Sequence, residues 1–393
     1  MLAKRVYMDH TAGKPVDSRV AEAMLSYMSA FYGNPSSVHM FGQEAKRALE
    51  EARAQVAGLI NADKKESIIF TSGATESNNM AIKGFGYRNK DRGTHVITSS
   101  IEHMSVLNPV KYLTTRGFKA TFLPVDQYGF VSLESLEKEL TDETILVSIM
   151  YANGEIGTIQ PIKEISQIAH QKKAVLHVDG TAAAGQIPVD VQAEGIDLLT
   201  ISSNDMYGPK GMGALYIKQG IRVEPMLHGG GQEQGLRSGT ENLPSIMGFG
   251  KAAELAKMEM QAENERLTRL RDRFIKGLAG TIPYSFINGH PTKRLPNNAA
   301  VRYSFIEGES MLLSLDMMGV AASSGSACTA KTLEPSHVLR ALGLKHEEAH
   351  GSLLFTLGKQ NTEEEVDYVI GLMPGIVKRL RAMSPLTPKE LKE

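Results

Sequence analysis

The chain has 393 residues, 42% of them hydrophobic and 22% charged, in the range of ordinary globular proteins and outside that of disordered, collagenous or coiled-coil chains. Lysine plus arginine number 43 and aspartate plus glutamate 44, a net charge of −1. No global field therefore draws the chain to nucleic acid or to an anionic membrane, and the length suggests two domains.

Cys328 is the only cysteine, which excludes an intrachain disulfide framework and any metal site built from several cysteines of one chain. A lone thiol fits a reducing compartment. The N-terminal MLAKRVYMDH has no apolar core of a secretory signal, and no run approaches 18 consecutive apolar residues. The expectation is a cytoplasmic protein with no nucleic-acid or membrane partner.

In chain order, apolar runs at 67–71, 95–99, 120–125, 145–151, 174–179 and 198–202 read as strands. Several are apolar on both faces, as strands covered by helices on both sides should be. Helical periods at 78–87, 132–139 and 161–170 lie between them. Strand–helix–strand alternation predicts a mostly parallel sheet with right-handed crossovers. After Thr240 come a long helix over 243–278 with a charged second half, an extended run at 299–304, and a helix at 309–318. A Ser/Gly/Ala loop around Cys328, a helix from about Pro335 and a last helix over 362–383 complete a smaller α+β unit. The expected division is a large domain at 16–258 and a small domain made of 1–15 and 259–393.

Three places carry candidate chemistry. TSGATESN, 71–78, follows a strand and opens a helix, so its backbone N–H groups suit a phosphate, with Ser72 and Thr75 as hydroxyl donors; an ordinary capped turn reads the same way. Asp179 ends the buried strand of AVLHVDG, where a carboxylate either faces a ligand at the sheet's carboxyl edge or caps a helix. His103, in SSIEHMSV, also follows a strand and is either a loop histidine or a functional one. The loop AASSGSACTAKT has little apolar material to bury Cys328, which favours a reachable thiol over a core cysteine.

Together the segments YMDHTAGKPVD, GNPSSVH, TSGATESNN, SSIEHMSV, EIGTIQP, HVDGTAAAG, MYGPKG, GGGQEQGLRSGTEN, SSGSAC, EPSHVLRALGL and LGKQNTEEEVD resemble the cysteine desulfurases. These are fold-type-I pyridoxal-phosphate (PLP) proteins of the class V aminotransferase group. The resemblance implies a PLP transferase-like α/β fold with a seven-stranded-type sheet, and a homodimer. The loop length after SSGSAC resembles the subgroup that serves U-type iron–sulfur scaffold proteins. It also implies roles for residues. Gly73, Ala74, Thr75, Ser202 and, across the dimer, Thr240 hold the cofactor phosphate; Asp179 keeps the pyridine nitrogen protonated; His103 stacks on the ring and moves protons. Cys328 attacks the substrate sulfur and becomes a persulfide.

The sequence departs from the family at the reactive end of that site. The family's Ser-x-His-Lys reads Ser202-Ser203-Asn204-Asp205, so an aspartate stands at the imine-forming lysine and an asparagine before it. A carboxylate cannot condense with an aldehyde. Two partners of the cofactor's phenol oxygen become Ala182 and Gly154, and the arginine that clamps the substrate carboxylate becomes Leu354. Leucine supplies neither charge nor a bidentate hydrogen bond. Lys14, in place of a family threonine near the site entrance, is a candidate substitute amine, while Lys210 belongs to the shared Gly-Pro-Lys-Gly turn.

These departures lead to the expectation of a desulfurase-like iron–sulfur assembly protein with weak or lost PLP chemistry. Its Cys328 would carry sulfur or ligate a nascent 2Fe-2S cluster shared with the scaffold. PLP, where bound, would be held non-covalently through Gly73, Ala74, Thr75, His103, Asp179, Ser202, Asn204, Asp205 and Thr240. The alternative is an active cysteine desulfurase using that non-covalent PLP with another base, and a third reading is a PLP-type dehydratase.

Overall fold

The computed structural model describes residues 5–324 and 335–391. Its strands, in chain order, are β1 (Val6–Tyr7), β2 (Ile68–Thr71), β3 (His95–Ser99), β4 (Lys119–Leu123), β5 (Thr144–Met150), β6 (Val175–Asp179), β7 (Leu198–Ser202), β8 (Gly213–Ile217), β9 (Ser285–Ile287), β10 (Asn298–Tyr303), β11 (Val320–Ala321) and β12 (Ser352–Thr356). β2 to β8 form one sheet in the order β2-β8-β7-β6-β5-β3-β4. The pairs from β7 to β4 are parallel, and β8 runs antiparallel to both β7 and β2. The expected mostly parallel sheet is therefore present, with one reversed strand that the sequence reading did not include.

Every residue of β2, β3, β5, β6, β7 and β8 is buried. One side of the sheet packs on the helices Ser18–Ser29 and Met40–Leu59 and the start of the helix Leu243–Thr281, in a cluster that includes Ile68, Phe70, Leu176, Ile201 and Phe249. The other side packs on Ile82, Phe85, Val106 and Val110. Those residues lie on the helical segments 74–88 and Met104–Thr114. The first of these is continuous but contains a π turn, Met80–Gly84.

β12, β10 and β9 form a second, antiparallel sheet, and β1 pairs in parallel with β11. Their apolar residues cluster with Leu267, Leu270, Phe274 and Leu278, from the later turns of the helix Leu243–Thr281. That helix has 39 residues and is about 58 Å long at 1.5 Å per residue, so one rod serves both apolar clusters. Among the described residues no helix is long and apolar enough to cross a membrane.

Candidate active site

Five strand ends converge at one edge of the central sheet. β2 leads into Ser72-Gly73, β3 into Glu102-His103, β5 into Asn153, β6 ends on Asp179 and β7 on Ser202. Register places Met150 beside Asp179 and Ser202 beside Gly213. The carboxyl edge of a parallel sheet is where such folds bind ligands. Here it opens into a cavity of about 320 Å³, the size of a small-molecule site.

Of the sequence-derived candidates, Ala74, His103, Asp179, Asn204 and Asp205 line this cavity together. Gly73 and Thr75 flank Ala74 in the chain, and Ser202 lies two residues before Asn204. Gly73 has φ +147°, and a Cβ there would meet nothing within 4 Å, so the backbone before the helix faces open space. Gly213 packs its backbone against Gly73: a Cβ on Gly213 would lie 2.8 Å from the Gly73 Cα. Thr240 is exposed, outside the cavity. Its loop is joined to the helix after Gly73 by the Arg237–Glu76 ion pair at 3.0 Å. Cys328, expected as sulfur acceptor and cluster ligand, lies outside the described residues. Ser323 and Ser336, on either side of 325–334, both line the cavity.

Asp179 combines both of its sequence readings. Its Oδ1 accepts from the Thr181 N–H at 3.1 Å, and its Oδ2 accepts from Asn78 Nδ2 at 2.8 Å, yet the carboxylate still faces the cavity. His103 caps the helix Met104–Thr114: its Nδ1 accepts from the Ser105 N–H at 3.1 Å. A neutral ring whose Nδ1 accepts carries its proton on Nε2.

Asp205 sits in the tight turn Asn204–Met206 after β7. Burial pushes its carboxyl above the usual aspartate range, against the opposing pull of Lys14 and of the Ser202 hydroxyl. The Lys14 ammonium does not enter the cavity. Its Nζ donates to the Asp205 backbone carbonyl at 2.6 Å, and the residue lines a separate cleft of about 30 Å³ with Tyr207, Glu259 and Lys359. Burial holds the Lys14 ammonium down at about 8.

Leu354 forms part of the cavity wall from β12 and is 4% exposed. Gly154 and Ala182 are neighbours: a Cβ on Gly154 would lie 3.9 Å from the Ala182 Cβ. The two shortened side chains thus open one region of the wall.

Two buried glutamates were not singled out from sequence. Glu102 accepts from Ser99 Oγ at 2.6 Å and the Met150 N–H at 3.0 Å through Oε1, while Oε2 has no partner. Glu155 accepts from Ser336 Oγ at 2.7 Å. Burial pushes both carboxyls up to about 8. His337 Nε2 lies 2.9 Å from the Glu102 carbonyl, so Ser336 and His337 are both tied to the carboxyl edge of the sheet. Glu102 and Glu155 stand inside the motifs SSIEHMSV and EIGTIQP, but the motif letters alone do not reveal burial.

The side chains fit a PLP-type cofactor at three points and not at the fourth. A phosphate suits the open backbone at Gly73, Ala74 and Thr75, at the start of a helical segment. Asp179 suits a protonated pyridine nitrogen, and His103 a ring face. Asn204 Oδ1, Thr181 Oγ1 and Asn78 Oδ1 are buried without partners, and such groups call for a ligand or water. No lysine or arginine is among the described lining residues, so none of these offers an amine to an aldehyde.

A family model described as aminotransferase class-V matches residues 6–369. Cysteine desulfurase IscS 1 of Archaeoglobus fulgidus is 60% identical over 97% of this chain and 99% of that protein. Cysteine desulfurase IscS of Methanosarcina thermophila is 53% identical over 98% of this chain and 95% of its own. Among solved structures, a NifS-like protein matches with a TM-score of 0.90 and 38% identity, covering 96% of this chain and 100% of that one. A structure of SspA in complex with cysteine matches at 0.80 and 34% identity, over 90% and 98% of the two chains. The architecture is that of the fold-type-I PLP-dependent transferases.

Proposed function

Because the chain belongs to the class V aminotransferase family, we propose that it is a cysteine desulfurase of iron–sulfur cluster assembly that holds PLP by non-covalent contacts alone. The names of relatives up to 60% identical favour the reaction. The observation that carries the mode of holding is the cavity itself. It keeps the open backbone at Gly73, the Asp179 carboxylate and the His103 ring, and it has Asp205 where a lysine is expected.

In this reading Ala74, Thr75 and Ser202, with Thr240 supplied across a homodimer, bind the phosphate. Asp179 holds a proton on the pyridine nitrogen, and His103 covers the ring face. When bound, the cofactor supplies an electron sink that weakens bonds at the substrate's Cα and Cβ. Asp205 takes the Cα proton, the task of the missing lysine. Cys328 receives the substrate's sulfur as a persulfide, alanine leaves, and a U-type scaffold protein accepts the sulfur. We also propose the division into 16–258 and 1–15 plus 259–393, in keeping with the separate apolar clusters of the two sheets.

A second reading is favoured by Leu354, an apolar side chain where the substrate carboxylate needs a cation. Here desulfuration is weak or lost, and Cys328 carries sulfur made elsewhere or completes a 2Fe-2S ligand set on the scaffold. Sulfide release from L-cysteine, with a thiol reductant and saturating PLP, separates the two. The first reading expects sulfide and alanine in equal amounts, lost in Cys328→Ser, with PLP removable by gel filtration. No turnover at saturating PLP supports the second.

A further inference from the structure

Asp205 reverses the polarity of the site's reactive end. An aldehyde oxygen only accepts hydrogen bonds, and so does an ionised carboxylate. Asp205 therefore offers the aldehyde form of the cofactor neither a covalent partner nor a donor. The Lys14 ammonium is spent on the Asp205 backbone carbonyl at 2.6 Å and lines a different cleft. Other acceptors stand near Asp205 on the wall. Asn204 Oδ1 is buried and unpartnered, Asp9 and Asp179 also line the cavity, and the described lining holds no lysine or arginine.

We propose that this site selects the amine form of the cofactor, pyridoxamine 5′-phosphate, over the aldehyde form, with the Asp205 carboxylate pairing with the ligand's own C4′ ammonium. The ligand then brings the amine nitrogen that the described lining lacks. The ammonium donates where Asp205 accepts, and it compensates the charge of a half-buried carboxylate that has no lysine or arginine beside it among the described lining residues. The phosphate, ring and pyridine contacts are common to both forms, so the discrimination falls on the C4′ substituent alone. The proposal concerns binding and involves no covalent step. It rests on reading the cavity as a vitamin-B6 phosphate site.

The decisive comparison is pyridoxamine phosphate against pyridoxine phosphate, which differ only by ammonium and hydroxyl at C4′. Neither carries an aldehyde that can react with surface lysines. Affinities measured on the full chain by ligand fluorescence, with PLP as a third ligand, give the answer. A charge-assisted contact in a buried site predicts at least about tenfold tighter binding of pyridoxamine phosphate than of pyridoxine phosphate. That ratio falls towards one in Asp205→Asn. Equal affinities of the two ligands for the unmodified chain overturn the proposal while leaving the B6-phosphate reading standing. A preference that survives in Asp205→Asn overturns the role of Asp205. Failure of all three ligands to bind overturns the B6-phosphate reading together with the proposal built on it.

Discussion

Lys14 carries its ammonium into a place with little water. The residue is 5% exposed, its Nζ bonds the Asp205 carbonyl, and it stands 5.1 Å from the centre of the Tyr207 ring. Its folded pKa, about 8, lies below the ordinary lysine value of 10.5. Between those values the unfolded chain binds more protons than the folded one, so stability rises with pH across this window. Lys14→Met removes the effect. The wild type should therefore gain about 2 kcal/mol relative to Lys14→Met between pH 7.5 and pH 10, read from urea midpoints. Parallel profiles for the two proteins would count against this burial. At this scale the substitutions at 205, 354, 154 and 182 are legible from letters alone, because each changes a functional group within a motif. That Lys14 turns away from the cavity is not legible, nor is the burial of Glu102 and Glu155, since each depends on which side of a packed wall a side chain falls.

Elements were legible where burial on both faces left a run dominated by apolar residues, as in β5 and β6. They were missed where the pattern is diluted. The helix Met40–Leu59 is rich in charge and alanine, and Met104–Thr114 contains Pro109. β8 follows a glycine turn and runs against its neighbours, so the strand–helix rhythm does not announce it. The helix Leu243–Thr281 was visible in sequence, but its closest approach was not. At Gly250 it meets the helix Met40–Leu59 so tightly that an added Cβ would lie 2.7 Å from the Ala52 Cα and would also strike Gln55 Oε1. Backbone cannot yield as the end of a side chain can. Gly250→Val should cost about 1–3 kcal/mol by overpacking, despite valine's acceptable place in many helices. A mutant as stable as the wild type in equilibrium urea unfolding would show that the two helices can part there without cost.

For the molecule as a whole, the buried titratable groups set a pH profile that neither composition nor a net charge of −1 suggests. Burial raises Glu102 and Glu155 to about 8 and lowers His10 and His177 to about 4. From about pH 4.5 to 8 the folded state holds protons on the glutamates that the unfolded state has released, so these two groups make stability fall as pH rises. From about pH 4 to 6.5 the histidines act in the opposite sense, because the unfolded chain protonates them and the folded chain does not. The two pairs offset each other up to about pH 6.5. Above that the histidines contribute no further slope and the glutamates act alone, until Lys14 begins to reverse the trend near 8. The chain should thus be less stable at pH 8 than at pH 6.5, by about 2 kcal/mol or more. The double variant Glu102→Gln/Glu155→Gln should lose most of that difference, because an amide has no proton to release in this range. Urea unfolding of both proteins at pH 6.5 and 8 tests this directly. A wild type equally stable at the two values, or a double variant with an unchanged drop, would mean that the carboxyl edge of the sheet is wetter than its packing indicates.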